Sequence, residues 1–120
     1  MKPSNKASFQ RVINATKYSL KGLKSAYINE AALRQEIWLS CITIPLGFFL
    51  GQTPVEKILL VGSILLILIT ELLNSAIESV VDRIGSEFHE LSGRAKDIAS
   101  AAVFMSILLA GMTWLLICFF

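Results

Sequence analysis

Cysteine, histidine and proline are scarce in this 120-residue chain: two Cys, one His and three Pro. Two cysteines, Cys41 and Cys118, cannot build a disulfide framework, and both lie inside apolar runs, where free thiols packed in a membrane are expected. With one histidine and no Cys/His spacing, a zinc site is excluded. No G-x-x-x-x-G-K-[S/T], no G-x-G-x-x-G and no soluble-kinase catalytic-loop motif is present. A cleavable signal peptide is not expected, because the first thirty residues are basic and lack a short apolar core with a small-residue cleavage site. Charge is missing where it matters most: Ile58 to Thr70 reads ILLVGSILLILIT, without one ionisable side chain.

What is present is apolar. Hydrophobic residues make up 54% and the mean hydropathy is +0.64, outside the range of an ordinary soluble domain. Three long apolar runs stand out, about Ile37 to Leu50, Ile58 to Val81 and Ile98 to Phe120. A spanning helix needs about 20 mostly apolar residues; the second and third runs qualify, and the first must borrow flanking residues because Pro45 and Gly47 interrupt it. One all-α membrane domain covering 1–120 is therefore expected. Its predicted elements are an amphipathic surface helix over about 5–28 and transmembrane helices over about 31–54, 56–83 and 94–119.

The surface helix follows from period: Phe9, Val12, Ile13, Leu20, Leu23 and Tyr27 cluster within about 80° of a helical wheel. Lys17, Lys21 and Lys24 lie to one side, placed to reach lipid headgroups. Thr53-Pro54 punctuates the turn after the first span. Gly85 and Gly93 bracket a polar loop, and Ser92 is a plausible cap for the last helix. Basic residues crowd the N-terminal segment and the 82–97 loop. By the positive-inside rule both are cytoplasmic, with the 51–57 turn and the C-terminus on the opposite side.

The most informative segment is Glu71-Leu-Leu-Asn-Ser-Ala-Ile-Glu78. At about 100° per residue, Glu71, Asn74 and Glu78 fall within about 60° of one another, and Ile67 and Asp82 extend the stripe. Counting from Val55, Glu71 lies about 24 Å along the helix, near the edge of a hydrocarbon core of about 30 Å. Ionisable groups there are costly and point to function. Carboxylates with nearby Arg and Lys suit Mg²⁺ and phosphate chemistry. The residues alone reach a divalent-metal or phosphate-handling site at the cytoplasmic interface and no further. Asp82 and Arg83 read equally as a helix-end pair or as ligands, and Glu36 as a lipid-site or interfacial group. Glu56 and Lys57 read as a solvated turn, and Trp38 and Trp114 as lipid-packing or interface aromatics.

The run ELLNSAIESVVDRIG from Glu71, followed by SEFHELSGRAKD, resembles the signature of the prokaryotic diacylglycerol kinases. Tyr18-Ser-Leu-Lys-Gly-Leu and Asn29-Glu-Ala-Ala-Leu-Arg-Gln-Glu36 are similar to that family too, so the resemblance spans nearly the whole chain. It implies a bacterial inner-membrane homotrimer with active sites shared between protomers. The implied reaction moves the γ-phosphate of ATP, with Mg²⁺, to the 3-hydroxyl of diacylglycerol, giving phosphatidic acid. Partners would be ATP, diacylglycerol, membrane lipids and further copies of the chain, with no nucleic acid.

By the same resemblance Glu71 is the general base and Asn74 orients it, while Glu30 and Glu78 bind magnesium and the nucleotide. Arg11, Tyr18, Glu87, His89, Lys96 and Asp97 fall on the nucleotide side; Arg11, Arg34, Glu71 and Ser100 fall on the lipid side. Two competing readings remain. An isoprenoid alcohol such as undecaprenol could replace diacylglycerol as acceptor. A non-catalytic ion relay or scaffold is the other, disfavoured because Ser63 and Thr70 are the only polar side chains between Ile58 and Thr70.

Overall fold

The computed structural model of the chain describes residues 7–85 and 89–120. Four helices follow one another: α1 (Phe9–Asn29), α2 (Ala31–Leu50), α3 (Pro54–Ile84) and α4 (Glu90–Phe119). There is no strand among the described residues.

Local chemistry sets each boundary. The Ser8 side chain caps α1 by accepting from the Arg11 amide at 3.2 Å. Glu30, in extended conformation, ends α1 and starts α2 in one residue. Pro45 removes one backbone donor inside α2, yet the helix continues to Leu50. Thr53 caps α3 through the Glu56 amide at 3.1 Å, and Pro54 supplies the preset first-turn backbone. Gly51 is required by close approach: a Cβ there would stand 2.8 Å from the Lys57 backbone nitrogen. Lys57 and Glu56 do more than face water in this turn, since the Lys57 ammonium donates to the Phe48 carbonyl and Glu56 accepts from the Gln52 amide. The last helix opens at Glu90, four residues before the expected Arg94. His89 takes the cap position expected of Ser92, accepting from the Leu91 amide through Nδ1 at 3.1 Å.

Packing centres on α3. Its longest contact is with α4, its next with α2, and α1 touches α2 and α3 only lightly. The buried set is small and partly hydroxylated: Leu33, Leu60, Val61, Ile67, Ala99, Val103 and Ala110, with Ser40, Ser63 and Ser106. Small residues let the backbones approach, as at Gly47, where a Cβ would meet the Val61 side chain at 3.1 Å. Interhelical hydrogen bonds join the same seam. Thr70 and Ser106 pair at 2.9 Å, and Trp114 Nε1 donates to the Leu60 carbonyl and Ser63 Oγ, both at 3.2 Å. Trp114 is thus an inward-facing link between α3 and α4, not a lipid-facing aromatic.

The large apolar side chains face outward. Leu59, Ile69, Phe104, Met105 and Leu108 are all exposed, as are the free thiols Cys41 and Cys118. Helices α3 and α4 are each long and apolar enough to cross a membrane, and only 22% and 17% of their apolar windows are buried. The core helix of a soluble protein would be mostly buried, so these faces require a nonpolar solvent. Arg34, Gln35 and Glu36 put polar and charged groups at the start of α2, ahead of its apolar run. No residue of α1 is buried, and Phe9, Val12 and Leu20 stay exposed, so its apolar stripe is not consumed by the bundle. The result is an all-α membrane protein.

Candidate active site

Helix α3 has 31 residues, about 46 Å at 1.5 Å per residue, some 16 Å more than a hydrocarbon core. The surplus falls at its C-terminal end, where Glu71, Asn74, Glu78 and Asp82 share a face. The Asn74 amide donates to Glu78 Oε1 at 3.1 Å. The hydrogen bond of Asn74 thus goes to Glu78. Asn74 Oδ1 is buried and has no hydrogen-bond partner among the described residues. An unpaired buried acceptor costs about 1–3 kcal/mol, so it calls for a donor or cation to arrive with a ligand.

Glu71 and Glu78 are half-buried. Glu36, Glu78 and Glu30 all lie within electrostatic reach of Glu71, in falling order of effect. Carboxylates from the α1–α2 junction, α2 and α3 thus act electrostatically on Glu71. Glu36, which the sequence left open between a lipid-site and an interfacial reading, is half-buried on α2 within electrostatic reach of Glu71. Among the described residues no three metal-ligating side chains are close enough to cage an ion. Oxygen donors in Glu30, Glu78 and Asn74 Oδ1 nevertheless suit a hard cation such as Mg²⁺, which takes one or two carboxylates and fills its remaining positions from water and phosphate.

The stripe borders two cavities. One, of about 630 Å³, lies between α1 and α3, lined by Gly22, Ala26 and Glu30 on one wall and Leu72, Ser75 and Ser79 on the other. Glu30 lines this cleft, and Ser75 on its other wall lies about 40° around α3 from Glu71. The second, of about 490 Å³, lies between α3 and α4 and is walled by Thr70, Leu73, Asn74, Ile77, Ile98 and Ala102. A mixed cleft and an apolar groove thus flank the same acids.

The remaining expected residues separate into distinct surroundings. Lys96 Nζ pairs with Asp82 Oδ1 at 2.6 Å, bringing α4 to the stripe. Asp82 therefore pairs across helices and not with Arg83. Asp97 lines a separate groove with Gly93 and Arg94. Arg34 Nη1 donates to the Tyr27 and Ile28 carbonyls at 2.9 and 2.8 Å, closing the C-terminal end of α1. This arrangement gives Arg34 a structural duty at the α1–α2 junction. Trp38 Nε1 donates to the Tyr27 hydroxyl at 3.0 Å, adding a second link across the same junction. Arg11 and Tyr18 are exposed on α1, and Ser100 is exposed on α4. His89 caps α4 and is exposed, whereas Glu87 lies outside the described residues.

An all-helical membrane protein with a band of half-buried acids at one end of its longest helix defines a class: membrane-embedded proteins with a polar site at the lipid boundary. Residues 17–118 match the family described as prokaryotic diacylglycerol kinase. The chain is 61% identical over 109 residues to the diacylglycerol kinase of Haemophilus influenzae, covering 91% of this chain and 92% of that protein. It is 51% identical over 111 residues to the diacylglycerol kinase of Escherichia coli K12, covering 92% and 91%. It is 44% identical over 117 residues to that of Pseudomonas aeruginosa, covering 95% of each. The chain belongs to the prokaryotic diacylglycerol kinase family.

Proposed function

We propose that this chain phosphorylates the 3-hydroxyl of diacylglycerol from ATP at the cytoplasmic surface of a bacterial inner membrane. The observation that supports it best is the staggering of Glu71 and Glu78 along α3, seven residues and about 10 Å apart on one face. Glu71 lies where a lipid hydroxyl resides, and Glu78 further out where a nucleotide arrives from water.

Glu71 serves as general base. It accepts the proton of the lipid hydroxyl as that oxygen bonds to the γ-phosphorus, the bond from γ-phosphorus to the bridging oxygen breaks, and ADP leaves. A lipid alcohol is a weak nucleophile, so positioning and charge neutralisation supply most of the rate. Glu30 and Glu78 would hold Mg²⁺ with the nucleotide, and Asn74 orients Glu78. The ion, when bound, neutralises charge on the phosphates. Lys96 adds positive charge on the same side; by resemblance to the family, Arg11, Tyr18, Glu87, His89 and Asp97 are assigned to the nucleotide, and Arg11, Arg34 and Ser100 to the lipid.

The same reading makes α2, α3 and α4 the three spans and α1 a helix in the headgroup layer, with the N-terminus cytoplasmic. Three copies would assemble and share sites; the sparse core and the many outward apolar side chains fit further helix contacts.

The test is transfer of labelled phosphate from ATP, with magnesium, to diacylglycerol or undecaprenol in mixed micelles, for the parent and Glu71→Gln side by side. Labelled phosphatidic acid from the parent and none from the variant is the expected result. Labelled undecaprenyl phosphate instead would change the acceptor and keep the mechanism. No transfer to either lipid by folded protein would refute the kinase reading.

A further inference from the structure

The contact between Asp82 and Lys96 is the one feature of the site that family roles do not absorb. Asp82 sits eleven residues after Glu71, about 20° from it around α3, and so completes the carboxylate stripe. It stands about 6 Å beyond Glu78 along the axis. Lys96 belongs to α4 and reaches across at 2.6 Å. Held there, its ammonium is also within electrostatic reach of Glu78.

The pair is not a strut. The side chains are 42% and 64% exposed, and ion pairs so open to water contribute little to stability. Helices α3 and α4 are already joined by buried Ala99, Val103, Ser106 and Ala110 and by the Thr70–Ser106 bond. What the contact does restrict is the lysine itself. A flexible four-carbon stem would otherwise spread its charge over many rotamers, and a phosphate-neutralising group works best when its position is set beforehand.

We propose that Asp82 is a positioning residue for phosphoryl transfer, holding the Lys96 ammonium at the outer, nucleotide end of the stripe. The proposal rests on the reading of Lys96 as a phosphate contact. Asp82 touches neither substrate; it acts through Lys96, and its effect therefore vanishes when Lys96 is gone.

A double-mutant cycle on the full-length protein in mixed micelles separates the two ideas, with Asp82→Asn, Lys96→Met, the double variant and Asp82→Glu compared for kcat and for KM of MgATP and of lipid. The expected result for Asp82→Asn is a KM for MgATP raised about tenfold, the lipid KM within about twofold, and an unchanged thermal midpoint. Asp82→Glu recovers part of the loss, and Asp82→Asn adds nothing in the Lys96→Met background. Unchanged kinetics for Asp82→Asn beside a crippled Lys96→Met would overturn the positioning role and leave the Lys96 reading standing. Normal nucleotide kinetics in Lys96→Met would overturn both. Additive losses in the double variant would show that Asp82 acts independently of Lys96, which also overturns the proposal.

Discussion

Asn74 hydrogen-bonds Glu78 one turn further along α3, at 3.1 Å, and leaves its own carbonyl oxygen buried and without a partner among the described residues. If that bond sets how Glu78 is presented to magnesium, its loss should be read in the magnesium titration. Removing a hydrogen bond to a charged group costs about 1.5–3 kcal/mol, roughly tenfold or more in an equilibrium. Asn74→Ala is expected to raise the half-saturating magnesium concentration by about tenfold. Titrating magnesium at fixed ATP checks this, and an unchanged midpoint with lost kcat would return Asn74 to Glu71.

The two acids should fail differently. Glu71→Gln keeps the shape and removes the proton acceptor, so transfer should fall by about 10²–10⁴ while MgATP binding changes little. Glu78→Gln should weaken magnesium dependence and nucleotide binding together. Equilibrium binding of a labelled nucleotide, measured beside turnover, distinguishes them; near-normal turnover in Glu71→Gln would remove it as base.

Arg34 offers a test of a reassigned residue. Both of its described hydrogen bonds end on α1 carbonyls, at Tyr27 and Ile28. Arg34→Ala should loosen the α1–α2 junction and speed amide hydrogen exchange in the last turns of α1 and around Glu30. A rise in lipid KM with unchanged exchange would instead favour a direct lipid contact.

Glycines separate open space from tight approach. A Cβ at Gly22 meets nothing within 4 Å, so Gly22→Ala should stabilise α1 by about 0.8–1.0 kcal/mol through helix propensity alone. A Cβ at Gly51 would lie 2.9 Å from Lys57 Cα, so Gly51→Ala must move backbone and should cost about 1–3 kcal/mol. Thermal unfolding in one detergent ranks the two; equal midpoints would contradict the packing at the turn.

Trp114 bridges α4 to α3 through its indole N–H. Trp114→Phe keeps the ring and deletes the donor, leaving the Ser63 hydroxyl with its bond to the Leu60 carbonyl. A loss of about 0.6–1.7 kcal/mol is expected, the range of interhelical hydrogen bonds in membranes. A midpoint equal to the parent would make Trp114 a packing residue only.

Much of this molecule was legible in the linear chain because helix period and hydropathy are local. The apolar stripe of α1, the punctuation at Thr53-Pro54, the uncharged run before Glu71 and the shared face of Glu71, Asn74 and Glu78 all follow from counting residues. Even there counting fell short at helix ends. His89 caps α4 where Ser92 was expected, because a cap depends on where the chain turns as well as on which side chains can accept a bond.

Partner choice was not legible. Nothing in the sequence says that Lys96 answers Asp82, that Arg34 closes α1, that Trp114 reaches Leu60 across 54 residues, or that Glu36 bears on Glu71. Sequence by itself determined four helices, a membrane solvent for two of them and the stripe of acids at the end of one, since each is a property of neighbours along the chain. Only the tertiary structure decided which charges meet and which cavities flank the acids. Those depend on how α1, α2 and α4 are laid against α3, and contact between distant segments has no period to read.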